Sequence, residues 1–275
     1  MFTGIAIPSY RHCLWLVVLA GFGWLTGFAP AAPAQPAYSF SNCLTQADAA
    51  YHQGDLAKAL EIYDQVQTLE ATNASHLCAV TKCYCDLMHH STNSAALPEL
   101  ARRALAASLQ AIQADPLSVT GHLCVAICYA KSFPFVDLHT KVAYSRGIKT
   151  EAEKALALDP HQDIAYYLLG RWHTGVANMG FFARSIVKLV YGGLPHASNA
   201  EAIGCFQKAI ALAPNRIIHH AGLSRAYCAA GEAALAHQEL ETCRALKPVD
   251  QDDEDARQFA LAALASWPRT IPDSL

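Results

Sequence analysis

The sequence predicts an all-α fold, a superhelix of about five stacked helix pairs closed by a C-terminal cap helix, and three observations predict it. The first is a recurring helix end. Lys154-Ala155-Leu156-Ala157-Leu158-Asp159-Pro160 returns almost unchanged as Lys208-Ala209-Ile210-Ala211-Leu212-Ala213-Pro214, more loosely as Gln110-Ala111-Ile112-Gln113-Ala114-Asp115-Pro116, and again before Lys247-Pro248. Proline lacks an amide proton and forces its predecessor out of the helical region, so each copy marks where one helix stops and another begins. The second is spacing: these four prolines stand 44, 54 and 34 residues apart, as one unit would with extra residues in two of its copies. The third is composition: 53% hydrophobic and 16% charged residues in a chain of 275 supply ample apolar surface for a continuous core.

The elements follow in chain order. Before Asp48 the only formal side-chain charge is Arg11, which precedes an apolar run from Leu14 to Phe28; Ala29-Pro30-Ala31-Ala32-Pro33-Ala34 then offers two Ala-x-Ala sites. That is the layout of a secretory signal peptide over residues 1–34. The alternative is an uncleaved membrane anchor through residues 14–29, which are 16 residues against the ~20 that span hydrocarbon. Residues 35–41 read as a linker, 42–266 as the helical repeat domain and 267–275 as a flexible tail.

The 34-residue interval is the tetratricopeptide period, and the other two intervals exceed it by 10 and 20 residues. The signature positions of that repeat fall into register with it. Gly54, Ala59 and Tyr63 occupy them in the first unit, Gly170, Ala202, Phe206 and Ala209 in the fourth, and Tyr227, Gly231 and Ala236 in the last. Glycine ends or turns a helix, alanine lets its partner approach, and the aromatic ring fills the gap between neighbours. The excess residues place insertions at about 131–149 and 178–198. The second contains Phe182, Ile186, Leu189 and Val190 at helical spacing, with Arg184 and Lys188 on the other side, which predicts an added helix docked by its apolar stripe. Gly192-Gly193 ends it, and Ser198 with Glu201 opens the next helix as a capping box. The acidic run Asp250 to Asp255 suits the positive N-terminus of a solubilising cap helix.

The segment Leu169-Gly170-Arg171-Trp172-His173, then Val176-Ala177-Asn178, Arg184, Tyr191-Gly192-Gly193-Leu194-Pro195 and Glu201-Ala202-Ile203, resembles the regulator of microtubule dynamics family. The resemblance runs from about Asn42 to Pro248 and implies a tetratricopeptide-like helical domain with the same inserted segment. It brings no catalytic residues. Eukaryotic members are associated with microtubules and the spindle, so the resemblance implies tubulin as a partner only if the chain is cytosolic. It treats Arg171, Trp172 and Arg184 as a fold signature.

Function follows from what is present and what is missing. A net charge of -3 with no basic block removes the footprint that nucleic-acid binding needs. No Walker loop, Gly-x-Ser-x-Gly or His-Glu-x-x-His occurs, which leaves hydrolase and nucleotide readings without an anchor. Cys83, Cys85, His89 and His90, and separately His219 and His220, are the metal candidates, but the ligand count is incomplete and Cys83 and Cys85 point different ways on a helix. A thiol- or metal-dependent enzyme is therefore a remote alternative, and no cofactor is expected. Of the ten cysteines, Cys13 leaves with the leader, and the remaining nine read as buried thiols with room for one or two bridges. Helix-pair solenoids present a concave groove, so the expected function is a non-catalytic scaffold, periplasmic, secreted or membrane-tethered, that binds a protein or peptide segment. Arg171, Trp172, Phe181, Phe182 and Arg184 are the candidate partner-binding residues; Trp172 is expected to pack between helix pairs, and Arg171 to bond the inserted segment's carbonyls or a carboxylate.

Overall fold

The computed structural model describes residues 39–53 and 55–267, all of whose regular structure is helical. The leader over 1–34, the repeat position Gly54 and the tail beyond Trp267 lie outside the described residues. Five helix pairs follow one another: α1 (Phe40–His52) with α2 (Leu56–Leu69), α3 (Ala74–His90) with α4 (Leu97–Ala114), α5 (Val119–Ser132) with α6 (Leu138–Leu158), α7 (Asp163–Ala177) with α9 (Asn199–Leu212), and α10 (Ile217–Ala230) with α11 (Ala233–Ala245). Helix α8 (Phe181–Tyr191) is inserted inside the fourth pair, and α12 (Gln251–Ala265) caps the fifth. Pro116, Pro160 and Pro214 each stand two residues past the end of α4, α6 and α9, where a residue without an amide proton removes no helical hydrogen bond.

Side-chain caps set the starts. Asp55, Asn73, Ser118, Asp137, Ser198 and Asp250 each accept a hydrogen bond from the amide three residues on, at 2.8–3.1 Å, and each such cap is worth about 1 kcal/mol. The Ser198 cap is half of the expected box: the Glu201 carboxylate accepts from the Ser198 hydroxyl at 2.9 Å. The first insertion forms no loop of its own. A single 3₁₀ turn, Phe133–Phe135, joins the pair, and the remaining residues lengthen α6 to 21 residues.

Small residues bring the helices together. Ala59, Ala202, Ala209 and Ala236 are fully buried, as are the rings of Tyr63 and Phe206. The Phe206 ring from α9 is held between two glycines: a β-carbon at Gly170 of α7 would lie 2.9 Å from it and one at Gly222 of α10 only 2.3 Å. Tyr227 packs at the edge of the same cluster. Gly231 works differently. A β-carbon there meets nothing within 4 Å, and its φ of +85° makes it the left-handed stop of α10. Backbone conformation, not close packing, selects it.

The first helices of successive pairs touch one another directly, α3 with α5, α5 with α7 and α7 with α10, whereas each second helix meets the first helix of the next pair. The first helices therefore occupy the inside of the curve. The stack curls far enough that α12 meets it again: Asp255 lies 3.4 Å from His89 at the end of α3, and Asp252 lies 3.9 Å from Lys131 at the end of α5. The groove expected from the repeats is crossed at that end by the cap helix.

Candidate functional site

The inserted segment departs most from a plain repeat. Gly180 starts α8 and left-handed Gly192 ends it. Two arginines then pin it to the stack. Arg184 donates to the Ala177 carbonyl at 2.6 Å, closing the C-terminus of α7, and Arg146 of α6 donates to the carbonyls of Tyr191 and, at 2.7 Å, Gly193. The carbonyl-binding role expected of Arg171 thus belongs to Arg146 and Arg184. Arg171 instead lies over the Tyr167 ring, 5.7 Å from its centre.

The docked stripe expected for α8 is not what forms. Val187 alone is buried, at 4% exposure, while Phe181, Phe182 and Leu189 are 79, 81 and 88% exposed and Ile186 and Val190 lie open beside them. Between α6, α7 and α8 is a cavity of about 400 Å³, lined by Phe133, Val142, Ile148, Leu168, Trp172 and Val187, with Lys141 and Arg171 also on its wall. Trp172 is a structural wall of this space. Its indole N–H donates to the Ser145 carbonyl at 2.8 Å and its ring is 5% exposed. From Ile164 to Ala200 the chain carries no carboxylate but three permanent cations, Arg171, Arg184 and Lys188. The surroundings of α8 therefore combine exposed apolar area with positive charge in a chain that is negative overall. Arg171, Trp172, Phe181, Phe182 and Arg184 are brought to this one region.

The histidines and cysteines considered for metal are placed elsewhere. Cys83 packs against the cluster that holds Tyr63, and burial pushes its thiol up to about 11; Cys85 and Cys128 of α5 share that cluster. His219 pairs with Asp163 at 2.8 Å. His220 bridges the Glu239 carboxylate, at 2.7 Å, and the Pro214 carbonyl, at 2.9 Å. His122 repeats that bridge two pairs earlier, from Glu151 at 2.5 Å to the Pro116 carbonyl at 2.9 Å. In both copies a histidine six residues after the helix-ending proline ties the preceding turn to the second helix of its own pair. The recurring Pro-x5-His spacing is the sequence signal that could have found this bridge. The carboxylate partners, 29 and 19 residues away, carry no local signal.

This chain matches the family described as "Regulator of microtubule dynamics protein 1-3" over residues 43–267. It belongs to that family. Among curated members it is similar to regulator of microtubule dynamics protein 1 of Bos taurus, 27% identical over 179 residues, 65% of this chain and 56% of the relative. The protein of the same name from Mus musculus is 27% identical over 173 residues, 62% and 56% of the two chains. The chain thus spans just over half the length of these relatives. In fold it is similar to a thermophilic tetratricopeptide-repeat protein of Thermus thermophilus, with a TM-score of 0.55 at 15% identity, covering 82% of this chain and all of the other. Regulator of microtubule dynamics family membership and this fold make the chain a helical-repeat domain of the tetratricopeptide type. Within it, the Leu169-Gly170-Arg171-Trp172 element has a physical reading: Gly170 admits Phe206, and Trp172 walls the cavity that the insertion covers.

Proposed function

We propose that this protein is a non-catalytic scaffold, exported or membrane-tethered, that holds a segment of a partner protein on α8 and at the cavity beside it. The carrying observation is the five large apolar side chains that α8 leaves open, Phe181, Phe182, Ile186, Leu189 and Val190. A large exposed apolar patch on a folded chain marks a surface that a partner covers. The neighbouring cations and the absence of carboxylates over 164–200 make an apolar segment flanked by acidic residues the fitting occupant. A groove ligand lying along the inner helices is less well served, because α12 crosses their ends. The leader pattern supports export or tethering, and no described helix is long and apolar enough to cross a membrane. The test is affinity capture of tagged full-length protein from its native cells, with the wild type beside the F181S/L189S double variant. The reading expects a defined protein partner that the variant loses while its melting midpoint stays unchanged, and sequencing of the mature N-terminus expects a start just after Ala34 or an intact leader held in membranes. Equal recovery of every captured protein by both forms would contradict it.

A second reading, microtubule association, is favoured by the names of the curated relatives and by an acid-free cationic surface suited to an acidic partner. It needs a cytosolic chain. Co-sedimentation with assembled microtubules that F181S/L189S or Lys188→Glu abolishes would support it, and an N-terminus processed on export would oppose it.

A further inference from the structure

Nine cysteines lie among the described residues, all unbridged, and four of them face one another across two inner helices. Cys78 and Cys85 are seven residues apart on α3, and Cys124 and Cys128 are four apart on α5, so each couple sits on one helix face. Helices α3 and α5 pack side by side. Across that packing Cys124 lies against the core patch that holds Cys78, and Cys128 shares a core patch with Cys85. Each contact is embedded in core: Cys124 packs on the cluster of Leu77, Cys78 and Ala111, while Cys85 and Cys128 share the larger cluster that holds Tyr63 and Tyr84. Cys83, two residues before Cys85, leaves α3 from a different side of the helix. Cysteines packed into one core patch from two adjacent helices are placed to reach the ~2.05 Å of a disulfide by side-chain adjustment.

We propose that Cys78–Cys124 and Cys85–Cys128 are disulfide-forming pairs, two parallel bridges that fasten the second helix pair to the third. This goes beyond the partner-binding reading and stands whether or not that reading holds. The oxidant is a small-molecule or protein disulfide of the exchange-active class. One cysteine thiolate attacks it, forming a mixed disulfide and releasing one donor thiol. The thiolate of the facing cysteine then attacks the protein sulfur of that mixed disulfide, forming the internal bond and releasing the second thiol. Each bridge removes two protons and two electrons from the protein and reduces one donor disulfide to two thiols. Cys78, Cys85 and Cys128 are buried and Cys124 half-buried, which confines the reaction to folding or to local opening of the inner helices. The bridges join residues 46 and 43 positions apart, so each constrains a sizeable loop of the unfolded chain.

The experiment refolds the full chain in a mixture of oxidised and reduced glutathione, or in dithiothreitol, then blocks free thiols with N-ethylmaleimide in denaturant. Intact mass should show four fewer blocked thiols after the glutathione treatment, and a non-reduced digest should yield peptides joined 78 to 124 and 85 to 128. The oxidised protein should melt about 5–10 °C above the reduced form per bridge. C78S should lose the first bridge alone and C85S the second alone. Because the mapping is read on the wild-type chain, it holds even if a serine variant folds poorly. Four thiols that stay open to N-ethylmaleimide, or joined peptides that map to Cys43, Cys83, Cys205 or Cys228, would overturn the proposal.

Discussion

At the scale of the residue, two glycines show how close approach and helix propensity compete. Gly222→Ala gains helix propensity of up to about 1 kcal/mol, but its new methyl would meet the Phe206 ring at 2.3 Å, and that ring is already confined by Gly170. Overpacking of this kind costs about 1–3 kcal/mol, so a net loss of about 1–2 kcal/mol in urea unfolding is expected. Gly204→Ala on α9, with nothing within 4 Å, should be neutral or stabilising by up to about 1 kcal/mol. Gly231→Ala is also unopposed sterically, yet a left-handed alanine costs about 1 kcal/mol. His220 gives a pH prediction. Burial opposes its charge, but the Glu239 carboxylate and the Pro214 carbonyl outweigh burial and raise its pKa. Its contribution is therefore fully present below the unfolded value near 6.5 and is lost as pH rises through the raised folded value. His219 and His173 shift the other way, chiefly through burial, so they weaken the fold as pH falls below about 6.5. Melting of His220→Gln beside the wild type at pH 5.5 and 8.5 should show the larger deficit at the acidic pH. An equal deficit at both would refute the assignment.

At the scale of the element, α12 is more than a solubilising cap. Asp253 in its first turn is fully buried and accepts from the Ile218 amide at 3.0 Å and the Val249 amide at 3.3 Å, with the Arg216 guanidinium also 3.3 Å away. It thereby satisfies an orphan donor at the start of α10. Asp253→Ala should cost about 2–4 kcal/mol in equilibrium unfolding, because the Ile218 amide loses its acceptor and Arg216 keeps only Asp250; a loss below about 0.5 kcal/mol would remove that role. Helix α8 shows why its sequence was read only in part. The glycine stop and the Ser198 cap were legible because they depend on residues within one turn. That its apolar stripe stays open was not, because a 3.6-residue period reports an apolar face but not whether another element lies opposite it. Arg146 was missed for a related reason: its partners are 45 and 47 residues away. Likewise the first insertion continues the helical pattern of α6, so no breaker separated the extra turns from the repeat.

At the scale of the whole molecule, the hairpin order was written in local signals, the proline stops and the buried alanines, while the return of α12 to α3 and α5 depends on small angles summed over several pairs. No single residue encodes that sum. The closing contacts are exposed ion pairs, worth no more than about 1 kcal/mol. The D252N/D255N double variant should leave the melting midpoint nearly unchanged and raise amide exchange in the first turns of α12. Unaltered exchange there would show that apolar packing on α10 and α11 holds the helix by itself.

The claim on which the functional account rests is that partners meet the molecule at α8 and not along its inner helices. Site-specific photo-cross-linking tests it most directly, with benzoylphenylalanine at position 182 of α8 or at exposed Lys82 of α3, in otherwise wild-type protein in native cells. The account predicts a discrete protein adduct from position 182 that is absent from position 82. Adducts from position 82 with none from 182 would contradict it and return the site to the groove.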